Sequence, residues 1–213
     1  MAIAVAAICG YLIGSIPVGL IVSRLSGRVD VRDYGSGKTG FTNTLRLLGL
    51  RRSLPVFGGD LGKGLAAALL PLLYSDDAWA RAAGGLAAIV GHVWPLFAGF
   101  RGGRGVLAGG GALLALSPPA AALVLPFAGL TLYLSRYMSL TSIVGCLAAA
   151  LIFLAFAAAD ELPWAYAAVT AAGGGLIVLL HRDNIGRLLA GREPKIGQGG
   201  ERRPTAAEPG AEG

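Results

Sequence analysis

The sequence predicts an all-α, polytopic integral membrane protein with about seven transmembrane helices, the N-terminus outside and the C-terminus cytoplasmic. Three observations lead there. Hydrophobic residues make up 54% of the 213-residue chain and charged residues 14%, with mean hydropathy +0.65, whereas soluble domains carry roughly 25% charged residues. The 34 glycines are about twice the usual share, as suits membrane helices whose backbones approach closely. Finally, the basic residues alternate with the apolar runs in a one-sided way, which sets an orientation.

The apolar runs long enough to cross a bilayer as helices are Ala2–Val22, Leu54–Tyr74, Ala78–Ala98, Val106–Leu116, Pro118–Leu134, Leu140–Ala159 and Pro163–Leu180. The opening run lacks the basic flank of a secretory signal, so it reads as a retained first helix. Val106–Leu116 is short and rich in glycine. Residues 1–197 form one membrane domain, and the polar tail 198–213 has no apolar periodicity, which predicts disorder. No internal repeat is visible.

Seven spans place sixteen of the eighteen Lys and Arg residues, all but Lys63 and Arg81, on one side. By the enrichment of basic residues in cytoplasmic loops, that side is the cytoplasm. The net charge of +6 is thereby explained without nucleic acid. Cys9 and Cys146 sit in apolar runs, which favours neither a disulfide framework nor a metal site. No metal or cofactor is expected.

The stretch "GSGKTG", Gly35 to Gly40, resembles the end of a nucleotide-binding phosphate loop. Such a loop needs a glycine five residues before the Gly-Lys pair, and Arg32 stands there. A second near match, "GGDLGKG", has Gly58 four residues before Gly62. Spacing excludes the nucleotide reading at both places.

Four stretches instead share the cytoplasmic side: "GSGKTGFTNTLR", "GFRGGRG", "RYMSL" and "HRDNIGRLLAGREPKIG". They predict a composite site at the membrane surface. In the first, Gly35 and Gly37 offer backbone amides, Ser36 and Thr42 hydroxyls, and Asn43 and Arg46 further polar groups, a cradle for phosphate or carbonyl oxygens. In the second, Gly102, Gly103 and Gly105 suit an anion nest, with Arg101 and Arg104 adding forked donors and a helix start at Val106 adding its positive end. The third brings Ser139. Asp60 and Lys63 lie one turn apart in the second span; intramembrane charges default to function, but a mutual pair is an equal reading. His92 reads as a helix-holding hydrogen-bond partner. His181, where the last span leaves the membrane, is a candidate base or orienting group beside Asn184.

Through "YLIGSIPVGLIVSR", "GSGKTGFTNTLRLLG", "DLGKG", "GHVWPLFAGFRGGRGV", "RYMSLTSI" and "HRDNIGRLLAGREPKI", the chain resembles the bacterial acyl-phosphate:glycerol-3-phosphate acyltransferases from Tyr11 to Gly197. The resemblance implies a multi-pass enzyme of the bacterial inner membrane with its active site facing the cytoplasm. It would transfer an acyl group from fatty acyl phosphate to glycerol 3-phosphate, giving lysophosphatidate, and would use neither acyl-CoA nor acyl carrier protein. It places weight on Ser36, Asn43 and Arg46, on Gly102, Gly103, Arg104 and Gly105, and on His181 and Asn184, with Glu193 structural. Ser36, Asn184 and loop amides are candidate oxyanion donors; His181 and a substrate phosphate are alternative proton acceptors. Lys38 stands where asparagine is common, Phe41 where alanine is, Arg101 and Arg104 where lysines are, and Asp183 where glutamate is frequent. The His-x4-Asp pair of many glycerolipid acyltransferases is absent, since Phe97 and Gly186 hold those positions. A small-anion transporter is the rival reading, though such sites lie near the midplane between repeated, broken helices.

Overall fold

The computed structural model describes residues 1–203. Ten α-helices follow in order: α1 (Ala2–Gly14), α2 (Val18–Gly27), α3 (Phe41–Leu48), α4 (Leu50–Leu69), α5 (Ala78–Val93), α6 (Val106–Leu116), α7 (Pro118–Ser135), α8 (Met138–Ala158), α9 (Trp164–Leu179) and α10 (Arg182–Leu189). The described residues contain no strand, only an isolated bridge between Tyr34 and Arg202.

The expected first span is two helices. Pro17 supplies no amide hydrogen and restricts the residue before it, so the helix breaks at Ser15–Pro17. The Ile16 carbonyl instead accepts from Lys63 Nζ at 3.1 Å. The fifth helix ends at Val93, five residues earlier than expected, because Pro95 follows. The fourth begins at Leu50 and carries Pro55 within its first two turns, where few backbone bonds are lost. Helices α3 and α10 occupy stretches expected to be loop.

Four helical stretches are long and apolar enough to span a bilayer: 2–27, 50–73, 118–135 and 138–158. A fifth arises if α9 and α10, bent by 56°, count as one. Of the expected seven, α5 has 16 residues and α6 has 11, short of the roughly 20 that a perpendicular crossing needs. Outward-facing Leu125, Leu134 and Leu151 are the surface that lipid rather than water would cover.

Small residues set the packing. Gly10 of α1 lies against the backbone of Gly84 in α5, and Gly64 of α4 against that of Ala108 in α6, each too close for a Cβ. Such contacts let helices associate in lipid by van der Waals packing. Beneath them Ala82, Ala112, Phe153 and Tyr166 form a buried cluster joining α5, α6, α8 and α9.

The tail expected to be unstructured from residue 198 pairs with the first loop up to its last described residue. Gly35 N donates to Glu201 O at 2.9 Å and Arg203 N to Asp33 O at 2.8 Å. The remaining tail residues, 204–213, lie outside the described part. A second brace joins the first loop to the α5–α6 connection: Arg32 forks onto Asp30 at 2.9 and 2.7 Å while reaching Ala98 O at 3.0 Å. The Arg32 hydrogen bonds bring the Asp30 carboxyl down to about 2, so this brace stays charged through mild acid.

Candidate active site

The four polar stretches meet at one cavity of about 150 Å³. Each helix reaches it by the end, or half, nearest one side. These are the first turn of α3, the first half of α4, the last turn of α5, and the first turns of α6 and α8. Beyond α9 come His181, α10 and Glu193.

Of the residues expected at the site, Ser36, Thr42, Asn43, Arg46, Arg104, Gly105, Ser139, His181 and Asn184 line the cavity. Gly35, Gly37, Lys63, Arg101, Gly102 and Gly103 do not. Lys63 is buried, 2.9 Å from Asp60 and bonded to Ile16, because Pro17 leaves a carbonyl for it to serve. Arg101 is exposed.

The glycine loop corrects the expected nest. Gly102 N donates to Val93 O at 3.2 Å and Gly103 N to His92 O at 3.1 Å. These amides close off the end of α5 and are turned away from any ligand. Gly103 is glycine because a Cβ there would overlap the His92 ring. The amides that lack a backbone acceptor among the described residues belong to Arg104 through Ala108, at the positive end of α6. Gly105, at φ +85°, turns the chain into that helix. The amides free to donate therefore lie two residues further along than the glycine pattern suggests.

Asn43 also changes role. Its Nδ2 lies within hydrogen-bond reach of the carbonyls of Val31, Tyr34 and Lys38 at 2.9–3.0 Å, and its Oδ1 accepts from Ser36 N at 3.1 Å. The Nδ2 donors are taken by the loop that the side chain shapes, so its evident work is to hold Ser36 in place. Gly35 and Gly37, at φ +51° and +68°, supply the left-handed turns of that loop. Asn43→Ala is expected to lower stability by about 2–3 kcal/mol, since several buried backbone groups lose their partner. Thermal unfolding in detergent measures this, and an unchanged midpoint would remove Asn43 from that role.

Asn184 is turned by its neighbour. Its Nδ2 donates to Glu193 Oε1 at 2.6 Å, and Arg187 Nε donates to Glu193 Oε2 at 2.7 Å. A carboxylate can only accept, so the Asn184 Oδ1 atom is the one left over, buried and unpaired. Asn184 therefore offers its Oδ1 as an acceptor, with one of its two Nδ2 hydrogens spent on Glu193. Burial opposes the Glu193 charge, but the hydrogen bonds from Asn184 and Arg187 outweigh it and hold the carboxyl below its ordinary value.

His181 Nδ1 donates to Ile177 O at 2.8 Å, which fixes the tautomer and leaves Nε2 as an acceptor. Burial is the main force pushing its pKa down to about 4. The Ser139 hydroxyl is buried beside Glu193 and adds to the hydrogen bonding that favours the Glu193 charge. Lys38, Arg46 and Arg104 also line the cavity, with Arg46 Nη2 donating to Pro194 O at 3.2 Å and Arg46 and Arg104 each burying an unpaired Nε. Burial, and then the Arg104 charge, lower the Lys38 pKa. Such crowded cations suit a multiply charged anion. An apolar wall completes the cavity: Phe41 and Phe57, edge to face at 5.5 Å, with Val106, Leu107 and Met138.

Sequence reasoning weighed Asp60 evenly between a functional charge and a mutual pair with Lys63, gave Lys38 no role of its own and read His92 as structural; Lys38, Asp60 and His92 all line the cavity. The "DLGKG" and "GHVWP" stretches carried the signal.

Residues 4–191 match the family described as glycerol-3-phosphate acyltransferase. Glycerol-3-phosphate acyltransferase 3 of Dehalococcoides mccartyi is 40% identical over 207 residues, covering 90% of this chain and 94% of that protein. The glycerol-3-phosphate acyltransferase of Geobacillus kaustophilus is 40% identical over 192 residues, covering 90% and 95%. Among solved structures, the chain is similar to PlsY (YgiH), an integral membrane glycerol 3-phosphate acyltransferase crystallised in a glycerol 3-phosphate form. That likeness has a TM-score of 0.85 at 36% identity, over 92% of this chain and 96% of the other. The lysophosphatidic acid form of the same enzyme gives 0.81.

Proposed function

The chain belongs to the glycerol-3-phosphate acyltransferase family, and from that premise we propose that it acylates the 1-hydroxyl of glycerol 3-phosphate with fatty acyl phosphate. The products are lysophosphatidate and inorganic phosphate. One observation carries the reading: a single cavity joins a cationic wall, a neutral hydrogen-bonding wall and an apolar wall. Those are the needs of two phosphates, a hydroxyl and an acyl chain.

Space agrees. A water needs roughly 10–15 Å³ of such volume, so about 150 Å³ accommodates about ten small groups, the size of glycerol 3-phosphate. The acyl chain then lies along Phe57 and Met138 toward lipid.

The hydroxyl oxygen attacks the acyl carbonyl carbon, and the bond from that carbon to the phosphate oxygen breaks. Arg104, Arg46 and the α6 amides hold phosphate oxygens, and positioning supplies much of the rate. Neutral His181 accepts the hydroxyl hydrogen bond at Nε2, but with a pKa near 4 it retains a proton poorly. A phosphate, whose second pKa is about 6, is the better final acceptor. The proton therefore leaves with the phosphate. Because acyl phosphate is already an activated anhydride, no covalent enzyme intermediate is required.

The one-sided basic residues support a bacterial inner-membrane protein with this site at the cytoplasmic face. A transporter reading gains nothing from a cavity lined by helix ends and loops of one side.

Purified protein in detergent, given glycerol 3-phosphate and palmitoyl phosphate, is expected to release lysophosphatidate and inorganic phosphate. Palmitoyl-CoA under the same conditions is expected to give none. Equal rates from the two donors would defeat the assignment.

A further inference from the structure

Glycerol 3-phosphate brings acceptors in its phosphate and donors in its two hydroxyls, and the cavity is unevenly matched to them. Lys38, Arg46, Arg104 and the free amides of α6 all donate. Acceptors are scarce. Both oxygens of Glu193 are engaged by Asn184 and Arg187. His181 Nε2 and Asn184 Oδ1 lie together beyond α9, where the reacting hydroxyl has been placed. The hydroxyls of Ser36, Thr42, Ser139 and Ser142 can accept as well as donate, but the remaining anionic acceptor in the lining is Asp60, on α4.

The Asp60 side chain is 2% exposed. Its Oδ1 lies 2.9 Å from Lys63 Nζ and 3.4 Å from His92 Nδ1, while Oδ2 has no hydrogen-bond partner. A buried polar oxygen without a partner calls for an explanation. Among the described residues, Arg46 Nε, Asp60 Oδ2, Arg104 Nε and Asn184 Oδ1 are buried without a hydrogen-bond partner, and all four belong to residues lining this cavity. That concentration marks a site completed by a ligand rather than a fault in packing.

We propose that Asp60 accepts a hydrogen bond from the 2-hydroxyl of glycerol 3-phosphate and so determines specificity for the acceptor alcohol. The inference rests on the function proposed above. The choice of the non-reacting hydroxyl follows from the ion pair. Lys63, itself anchored on Ile16 O, balances the carboxylate charge and favours its remaining ionised. A carboxylate so held accepts a hydrogen bond readily and a proton reluctantly. It also repels phosphate, which directs that group toward Arg46 and Arg104. His92 confines the same oxygen that Lys63 holds, leaving Oδ2 as the free one.

The test compares glycerol 3-phosphate with 3-hydroxypropyl phosphate, the same molecule without its 2-hydroxyl. A site built around a buried hydroxyl partner rejects the deoxy analogue strongly, so wild-type enzyme is expected to prefer glycerol 3-phosphate in kcat/KM by about a thousandfold. In Asp60→Asn the amide oxygen turns to Lys63 and presents NH₂ to the cavity, a donor in place of an acceptor. The preference should then fall below about tenfold. If that variant does not fold, Asp60→Leu with Lys63→Met removes both charges together, a change that buried pairs often tolerate, and the same collapse is expected.

A folded variant of either kind that keeps the wild-type preference overturns the proposal. It would make the cluster a support for Gly103 through His92. Wild-type enzyme that acylates neither compound, with any donor, defeats the proposed function and this inference with it. Acylation of both compounds at similar rates by wild type defeats the inference alone.

Discussion

Replacing Arg104 with alanine is expected to lower kcat/KM for one phosphate substrate by about a thousandfold, the upper part of the roughly 2–5 kcal/mol lost when a buried charged contact is truncated. The guanidinium lies between the start of α6 and the cavity, with Nε buried and unpaired. Burial disfavours its charge and nearby Glu193 favours it, but a guanidinium stays protonated in either case. It is a fixed cation awaiting an anion. The loss should fall mainly on KM for the substrate whose phosphate it holds, the pattern of a contact made equally in ground and transition states. Arg104→Lys keeps the charge without the fork and should recover part of the loss. Steady-state kinetics with each substrate varied in turn decide the matter. A folded Arg104→Ala enzyme with wild-type kcat/KM for both would move the phosphate site elsewhere.

His181→Ala is expected to lower kcat by at least about a hundredfold, within the range for a positioned proton-handling group. The pH dependence distinguishes its role from simple packing. In the folded enzyme the ring stays neutral until pH approaches about 4, whereas unfolded it takes a proton near 6.5. The burial contribution to stability is therefore whole above about 6.5 and is lost as pH falls toward about 4, on the order of 3 kcal/mol. The ratio of wild-type to His181→Ala kcat should be constant above about pH 5 and narrow through about pH 4, as Nε2 gains a proton and stops accepting. A ratio that changes instead near pH 6.5 would mean that the ring is not buried during turnover.

The long apolar elements were legible because lipid-facing helices need little beyond length. Val106–Leu116 has the same limits in sequence and structure, bounded by the glycine run before it and by Ser117–Pro118 after it. The short amphipathic helices α3 and α10 were not. Eight residues such as "FTNTLRLL" are too few to show a period against a background of glycines and arginines, and tertiary packing decides their state.

At the site, residue types were readable but directions were not. Composition marked Gly102 and Gly103 as amides free to meet an anion. Whether an amide is free depends on who else accepts from it, and the partners are the Val93 and His92 carbonyls, nine and eleven residues back along the chain. Asn184 was recognisable as polar machinery, yet which end of its amide meets the substrate is set by Glu193. Asn43 looks the same as Asn184 in sequence, but its Nδ2 donors are taken in the fold. The first apolar run was read straight through Pro17 as one span, and nothing local tied that proline to Lys63, 46 residues later.

The cavity draws on both ends of the chain, from Ser36 to Glu193, and the first loop is closed by Glu201 and Arg203. Synthesis runs from the N-terminus, so Ser36 enters the membrane long before its partners exist. Until Glu193 has left the ribosome, Asn184 has nothing to orient it and the catalytic wall is missing. Helices α1 to α6 can already be inserted and paired through their small residues at that stage, yet no intermediate chain holds a finished site. A chain that ended before Glu193 could thus insert its helices and still lack the carboxylate that orients Asn184.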